Sequence, residues 1–171
     1  MLTHMGITDG LVSGAIHSTG DTVRPALQII KTKPGISRTS GAFLMMRGNE
    51  QEKYLFADCA INVSPSPQEL AEIAIASAAT AKMFDIDPKV AMLSFSTKGS
   101  AKAPQADATI EATRIAQELA PDLVIDGELQ FDAAYNQSVA QLKAPESDVA
   151  GKANVYVFPD LQSGNIGYKL A

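Results

Sequence analysis

The sequence predicts an α/β fold: a mostly parallel sheet with helices on both faces and one antiparallel hairpin in the middle of the chain. Short apolar runs, each followed by a polar turn and a helical segment, recur at least four times along the 171 residues. Such alternation is typical of a parallel sheet. Two further apolar runs, 41–47 and 54–63, are separated only by the polar segment GNEQEK, which indicates a hairpin with a longer loop.

The composition is that of an ordinary globular protein. Hydrophobic residues make up 46% and charged residues 19% of the chain, and the net charge is −5. There is no basic stripe of the kind that binds nucleic acid, no apolar stretch long enough to cross a bilayer and no signal-peptide pattern. The single cysteine, Cys59, cannot form an intramolecular disulfide and fits a reducing compartment such as the cytoplasm. We therefore expect no nucleic-acid partner, no membrane and no metal site.

The first third of the chain is predicted to hold one strand and one helix. The run LVSGAI (11–16) is typical of a short buried strand, and the turn HSTGDT (17–22) follows it. Residues 23–33 are predicted to form a helix with Pro25 in its first turn, where a missing N–H does no harm. The segment PGIS (34–37) ends this helix.

The clearest helix lies at 64–84. Ser66 is a good N-cap, Pro67 occupies the first helical position and Glu69 completes a capping box. Apolar residues surround the helix on nearly all sides, so we expect it to be buried on most sides, by the core or by a partner chain.

The second half of the chain alternates strands and helices. We predict strands at 89–95, 123–127 and 153–158, and helices at 108–120, at about 132–142 and from 164 onward. The last helix completes barely one turn by Ala171, and MLTHMG at the start is typical of a helix end closed by Gly6. We hypothesise that residues 1–171 form one domain, truncated at both ends.

The polar turns after the predicted strands are the candidate ligand-binding segments, because ligands of an open parallel sheet bind beyond the carboxyl ends of its strands. The turn STKGSAK offers backbone N–H groups, hydroxyls and an ammonium group to a phosphate. It matches neither the nucleotide P-loop nor the dinucleotide pattern G-x-G-x-x-G. By spacing alone, a solvated connection between strand and helix is equally well supported. The candidate phosphate-binding residues are Ser96, Thr97, Lys98, Gly99 and Ser100.

The segment HSTGDTVRP adds an arginine. Arg24 is expected near the start of a helix, where the dipole disfavours a cation, and a bound anion held bidentately would remove this mismatch. Pairing of Arg24 with a surface carboxylate is an equally supported alternative. His17 is a candidate ligand contact, although such a residue is more often a turn histidine whose bonds are satisfied within the protein.

Two other features have a structural and a functional interpretation. Cys59 lies in an apolar run, so a buried inert thiol is favoured over a nucleophile. The carboxylates Asp126, Glu128 and Asp132 cluster in DGELQFD. They could orient a base or bind a cation, but a solvated turn with Asp132 capping a helix is at least as well supported.

Five segments of the sequence closely resemble the phosphate acetyltransferases (phosphotransacetylases), in the family's order and along nearly the whole chain. They are SGAIHSTGDTVRPALQIIKT, LSFSTKGSAK, ELAPDLVIDGELQFDAA, SDVAGKANV and FPDLQSGNIGYKLA. The resemblance implies reversible acetyl transfer between coenzyme A and phosphate, and a two-domain α/β fold like that of the isocitrate and isopropylmalate dehydrogenases. It also implies a cytoplasmic homodimer without a tightly bound cofactor, with coenzyme A and acetyl phosphate or phosphate as substrates.

The resemblance also implies a mechanism, in which the thiol of coenzyme A attacks the carbonyl of acetyl phosphate with an aspartate as the proposed base. Arg24 matches a family arginine implicated in substrate binding, and Ser18, Thr19 and Thr22 lie in its loop. The turn STKGSAK aligns as a turn that faces the site. The family's proposed catalytic aspartate lies downstream of GNIGYKLA, so the base is expected beyond Ala171.

Three alternatives stay open from the sequence. Phosphate butyryltransferases are similar to this family, although the segment HSTGDTVRP favours the acetyl enzymes. A non-catalytic domain that binds phosphate or coenzyme A is the second alternative, and a different α/β enzyme of similar fold is the third.

Overall fold

The computed structural model describes residues 1–32, 38–48 and 52–171. The chain divides into two compact units, Met1–Thr39 and Ser40–Ala171. The predicted end of the first helix, PGIS, and the centre of the hairpin loop lie outside the described residues.

Among the described residues of the first unit there is one helix, α1 (Thr19–Ile29). Two sequence predictions are wrong here. Residues 11–16 form no strand, because a strand needs a hydrogen-bonding partner and the described part of this unit holds no other strand. The helix begins at Thr19 rather than at residue 23, because the Ser18 side chain accepts a hydrogen bond from the backbone N–H of Asp21 and caps it there. Pro25 therefore lies inside α1 rather than in its first turn.

The second unit is built on a five-stranded sheet with the order β1-β2-β5-β3-β4. The strands are β1 (Ala42–Arg47), β2 (Glu52–Ala57), β3 (Val90–Leu93), β4 (Ile125–Leu129) and β5 (Val155–Val157). β1 pairs antiparallel with β2, whereas β2, β5, β3 and β4 pair in parallel. This confirms the predicted parallel sheet and the mid-chain hairpin.

Five helices accompany this sheet: α2 (Pro67–Lys82), α3 (Pro104–Leu119), α4 (Phe131–Tyr135), α5 (Gln137–Lys143) and α6 (Leu161–Leu170). The predicted helix at 132–142 is two short helices, because Asn136 is extended and its side chain caps the second one. The last helix begins before Gly164, because Asp160 caps it through the backbone N–H of Ser163. No helix among the described residues is both long enough and apolar enough to span a bilayer.

The sheet is covered on both faces, as the sequence predicts. One core cluster joins strand residues such as Val90, Met92 and Val155 to the alanines of α2 and α3. The opposite cluster joins the alternate strand residues, including Ala91 and Tyr156, to α4, α5 and the segment that follows them. This division follows from the two-residue period of a strand, which sends successive side chains to opposite faces.

The helix α2 has the predicted capping box. The Ser66 side chain accepts from the backbone N–H of Glu69, and the Glu69 carboxylate accepts from the backbone N–H of Ser66. Seven of its sixteen residues are buried, which confirms the expectation of a helix buried on most sides. Its burial is achieved within the chain, mainly against the sheet and α3.

The strand predicted at 54–63 ends early, at Ala57. The buried carboxylate of Asp58 accepts hydrogen bonds from the backbone N–H groups of Ala60, Ile61 and Asn62, at 2.9, 3.0 and 2.9 Å. These bonds fold the chain into a turn. Cys59 lies in this turn, fully buried, and not in a strand.

Candidate site at the carboxyl edge of the parallel strands

The four parallel strands end at one edge of the sheet, here called the carboxyl edge. A cavity of about 700 Å³ opens there, within the size range of small-molecule sites. Three phenylalanines, Phe95, Phe131 and Phe158, contribute to its walls. The polar groups that line it are Ser64, Ser94, Gln105, Thr109, Asp160 and Ser163.

Helices α2, α3 and α6 begin beside this cavity, but only two of them have a side-chain cap. Ser66 caps α2 and Asp160 caps α6. Ala103 occupies the N-cap of α3 and makes no side-chain hydrogen bond there. The positive end of the α3 dipole is therefore not offset by a capping side chain, and it suits an anion.

The segment between β3 and α3, here called the β3–α3 turn (residues 94–103), contains the candidate motif STKGSAK. The Ser96 hydroxyl is fully buried and donates to Glu128 Oε1 at 2.8 Å. The backbone N–H of Gly99 donates to the same oxygen, also at 2.8 Å. What the turn holds in this structure is therefore a carboxylate of the protein itself.

Lys98 and Thr97 also join the turn to β4 and the residue after it. The Lys98 ammonium pairs with Asp126 and donates to the Gly127 carbonyl at 3.1 Å. The Thr97 hydroxyl accepts from the backbone N–H of Gln130 at 2.9 Å. Asp126, in turn, accepts from the hydroxyl of Ser147.

These contacts divide the five candidate residues of the turn into two groups. Ser96 and Thr97 are buried, and their hydroxyls serve the protein, which corrects the expectation that they are open to a ligand. Lys98, Gly99 and Ser100 are exposed, with 40% of the Lys98 side chain accessible. Binding of phosphate by the turn stays a prediction.

Arg24 lies in the middle of α1, not near its start, because the helix begins earlier than predicted. The dipole argument for an anion at Arg24 therefore loses its basis. Arg24 pairs with Asp21 at 3.4 Å, with side chains 66% and 53% exposed, which is the surface pairing that the sequence left open. The sequence did not indicate Asp21 as the partner.

The other candidates of the first unit also lie in or beside α1. Ser18 is the N-cap, and its hydroxyl donates to the Asp21 carboxylate at 2.7 Å. Thr19 and Thr22 are helical and not part of a turn, and the Thr22 hydroxyl donates to the Ser18 carbonyl at 3.0 Å. His17 and Thr22 line a cavity of about 260 Å³ within this unit.

Burial controls the chemistry of Cys59. Burial, and to a smaller extent the neighbouring charge of Asp58, together raise the pKa of its thiol to about 12. The thiol is therefore protonated at neutral pH, which supports the inert role predicted from the sequence.

Asp132 is paired rather than placed for catalysis. A hydrogen bond from the Lys143 ammonium, at 2.8 Å, lowers the pKa of the Asp132 carboxyl. Asp132 does not occupy the N-cap of α4, which is Gln130. In the described part of the chain, no group of three or more His, Cys, Asp and Glu side chains is arranged to hold a metal ion.

Comparison with known proteins identifies relatives along the whole chain. A family model described as phosphate acetyl/butaryl transferase matches residues 1–171. The chain is 66% identical over 171 residues to the phosphate acetyltransferase of Bacillus subtilis (strain 168), covering 100% of this chain and 52% of the relative. It is 61% identical over 176 residues to that of Staphylococcus epidermidis, covering 100% and 53%. The chain thus spans about half the length of the curated relatives it matches.

Solved structures of similar proteins also match nearly the whole chain. A phosphotransacetylase from Streptococcus pyogenes is 72% identical with a TM-score of 0.93, over 99% of this chain and 52% of that one. The EutD phosphotransacetylase from Staphylococcus aureus is 60% identical with a TM-score of 0.90, over 99% and 52%. A branched-chain phosphotransacylase from Enterococcus faecalis V583 has a TM-score of 0.79 over 98% and 60%, and at 23% identity it shows a shared fold alone.

Proposed function

Because the chain belongs to the phosphate acetyl/butaryl transferase family, we propose that the protein containing it transfers an acetyl group reversibly between coenzyme A and phosphate. The observation that carries this proposal is the 66% identity to a phosphate acetyltransferase along all 171 residues. The same identity favours acetyl over butyryl groups, since the relatives at 60% identity or more are acetyltransferases or phosphotransacetylases.

The described residues favour a role in substrate binding over a role as the base. Transfer of an acyl group to a thiol needs a group that removes the thiol proton and donors that stabilise the developing oxyanion. The carboxylates of Asp58, Asp126 and Glu128 are each committed to hydrogen bonds or an ion pair within the protein. The exposed Lys98 ammonium and Ser100 hydroxyl offer a positive charge and a hydroxyl to a phosphate, and the uncapped start of α3 offers N–H groups.

We also propose that coenzyme A acts as a substrate, without a tightly bound cofactor, and that the protein works as a homodimer in the cytoplasm. These three proposals rest on the resemblance of the sequence to the phosphate acetyltransferases. A non-catalytic domain that binds phosphate or coenzyme A is the alternative from a different class.

A hybrid enzyme tests the function directly. This chain replaces the matched segment of the Bacillus subtilis phosphate acetyltransferase, and formation of acetyl-CoA from acetyl phosphate and coenzyme A is measured beside the parent enzyme. We expect a rate comparable to that of the parent, and slower transfer from butyryl phosphate. A folded hybrid that binds coenzyme A but transfers no acetyl group would favour the non-catalytic domain, and preference for butyryl phosphate would favour the butyryl enzyme.

Arg24→Ala in this hybrid tests the predicted role of that residue. Loss of a charge-assisted contact to phosphate costs about 1.5–3 kcal/mol, so the KM for acetyl phosphate should rise about ten- to hundredfold. Stability should change little, because the pair with Asp21 is exposed. Arg114→Ala is the matched control, since Arg114 is also an exposed helical arginine paired with carboxylates. An unchanged KM in Arg24→Ala would refute the role.

A further inference from the structure

We propose that Glu128 is a positioning residue, whose buried carboxylate fixes the β3–α3 turn in the shape that presents Lys98 and Ser100 to the phosphate of the substrate. This inference rests on the proposed function. It assigns a specific role to a residue of the DGELQFD cluster, which by its sequence could orient a base, bind a cation or form a solvated turn.

The environment of Glu128 indicates that its side chain supports the β3–α3 turn and does not contact substrate. Glu128 is 2% exposed. Its Oε1 accepts one hydrogen bond from the Ser96 hydroxyl and one from the Gly99 backbone, both at 2.8 Å. Its main-chain carbonyl accepts a third from the Lys98 backbone at 3.2 Å. Burial of a carboxylate is unfavourable unless donors converge on it, and here both donors to the carboxylate come from one turn, as does the donor to the main-chain carbonyl.

The turn depends on this acceptor because its backbone is unusual. Lys98 has a φ of 48° and Gly99 a φ of 80°, so two successive residues adopt the left-handed conformation. A lysine adopts this conformation only when the surroundings impose it. The Glu128 carboxylate accepts from Ser96, two residues before Lys98, and from the N–H of Gly99, directly after it. It therefore binds the chain on both sides of Lys98.

The remaining bonds of the turn extend from the buried Ser96. Its hydroxyl oxygen also accepts from the backbone N–H of Ala101 at 3.0 Å. The Ser100 hydroxyl accepts from the backbone N–H of Thr97 at 2.9 Å. Removal of the carboxylate would leave the Gly99 N–H and the Ser96 hydroxyl without their acceptor, and the orientation of Lys98 and Ser100 would change with them.

Glu128 binds the turn differently from the two nearby residues Asp126, in β4, and Gln130, directly after it. Asp126 binds the turn through the Lys98 side chain, and Gln130 binds it through the Thr97 side chain. Among these three residues, only Glu128 offers a side chain that accepts from the backbone of the turn. A change at Glu128 is therefore expected to alter the backbone that faces the ligand, whereas a change at Asp126 would free one side chain.

Kinetics of the hybrid enzyme show whether Glu128 positions the β3–α3 turn for substrate or only stabilises the fold. Glu128→Ala should raise the KM for acetyl phosphate between about ten- and hundredfold, because displacement of a binding group by an ångström has effects of this size. The KM for coenzyme A should stay unchanged. Glu128→Gln keeps an oxygen acceptor and should restore part of the affinity for acetyl phosphate.

A matched control distinguishes loss of stability from loss of position. Ile73→Val removes a buried methylene group from α2, in the core cluster away from the turn, and such a change destabilises a packed core. It should lower the Tm without changing either KM. An unchanged KM for acetyl phosphate in folded Glu128→Ala would overturn the inference while acetyl transfer by the hybrid stands. Equal increases in both KM values would overturn it as well.

A second measurement uses the 171-residue chain as it is and does not depend on activity. In amide NMR spectra, Glu128→Ala should move the resonances of Gly99 and Ser100, while those of α2 stay in place. Inactive hybrid enzyme would contradict the proposed function but leave this test intact. Unmoved resonances of Gly99 and Ser100 would overturn the role of Glu128 by themselves.

Discussion

At the scale of single residues, two buried carboxylates shape the turns that follow parallel strands. Asp58 accepts backbone N–H groups after β2, and Glu128 accepts a hydroxyl and a backbone N–H from the turn after β3. In each case several donors offset the cost of a buried negative charge. The conformation of these turns is therefore set by charges that belong to the protein, before any ligand binds.

Cys59 gives a prediction about pH. Its thiol pKa is about 12 in the folded state, raised first by burial, and roughly 8.5 in an unfolded chain. Since the folded pKa is the higher one, this stabilisation is fully present below roughly pH 8.5 and is lost as the pH rises through 12. Between these values, the free energy of unfolding should fall by at most about 1.4 kcal/mol per pH unit from this group.

Urea unfolding of the wild type and of Cys59→Ala, between pH 8 and pH 10, measures this contribution. The slope in the wild type should be steeper than in the variant. The thiol should also react slowly with a disulfide reagent in native protein and rapidly in urea, because it is fully buried. Fast reaction of the native protein at neutral pH would contradict this account.

At the scale of elements, local signals predict the helices of the second unit better than the ends of its strands. Helix α2 was predictable because a capping box and a proline mark its start in the sequence. The end of β2 was not predictable, since Asp58 turns the chain through bonds to backbone N–H groups, two of which belong to the apolar residues Ala60 and Ile61. Helix α6 packs so closely on this turn that a Cβ at Gly164 would lie 2.6 Å from the Asp58 carbonyl.

Ser66→Ala tests the contribution of the capping box. The substitution removes the side-chain acceptor for the Glu69 N–H, and loss of such a cap costs about 1 kcal/mol. Ser64→Ala is the control, because Ser64 is exposed and lies two residues before the cap. The midpoint of urea unfolding should fall for Ser66→Ala only. Equal midpoints for the two variants would show that the box adds nothing.

At the scale of the whole molecule, the two units differ in how they are stabilised. Helix α1 contains no buried residue, whereas seven residues of α2 are buried. The two core clusters consist entirely of residues of the second unit. Helical stability in proteins comes mostly from packing of an apolar face. Helix α1 should therefore be less stable toward local unfolding than α2.

Hydrogen exchange of the 171-residue chain tests this difference. Amides of α1 should exchange much faster than those of α2, because local opening is easiest where few apolar side chains are buried. The amides of α3, which has five buried residues, provide an internal reference. Protection of α1 equal to that of α2 and α3 would contradict the expected difference between the units.

Much of the architecture was predictable from local patterns. Alternation of strands, turns and helices determined the parallel sheet, and two apolar runs around GNEQEK determined the hairpin. The likeness of five segments to the phosphate acetyltransferases determined the family, which the match over residues 1–171 confirms. The likeness to the dehydrogenase fold and the roles of the site residues stay predictions.

The prediction of a strand at 11–16 was wrong because these apolar residues have no neighbouring strand among the described residues. The absence of a pairing partner cannot be read from a local sequence pattern. Ser96 and Glu128 are separated by 32 positions, so only the parallel pairing of β3 with β4 brings them together. The sequence alone determined that STKGSAK is a turn between a strand and a helix. Only the tertiary structure decided which side chains point inward, because that depends on carboxylates from the next strand of the sheet.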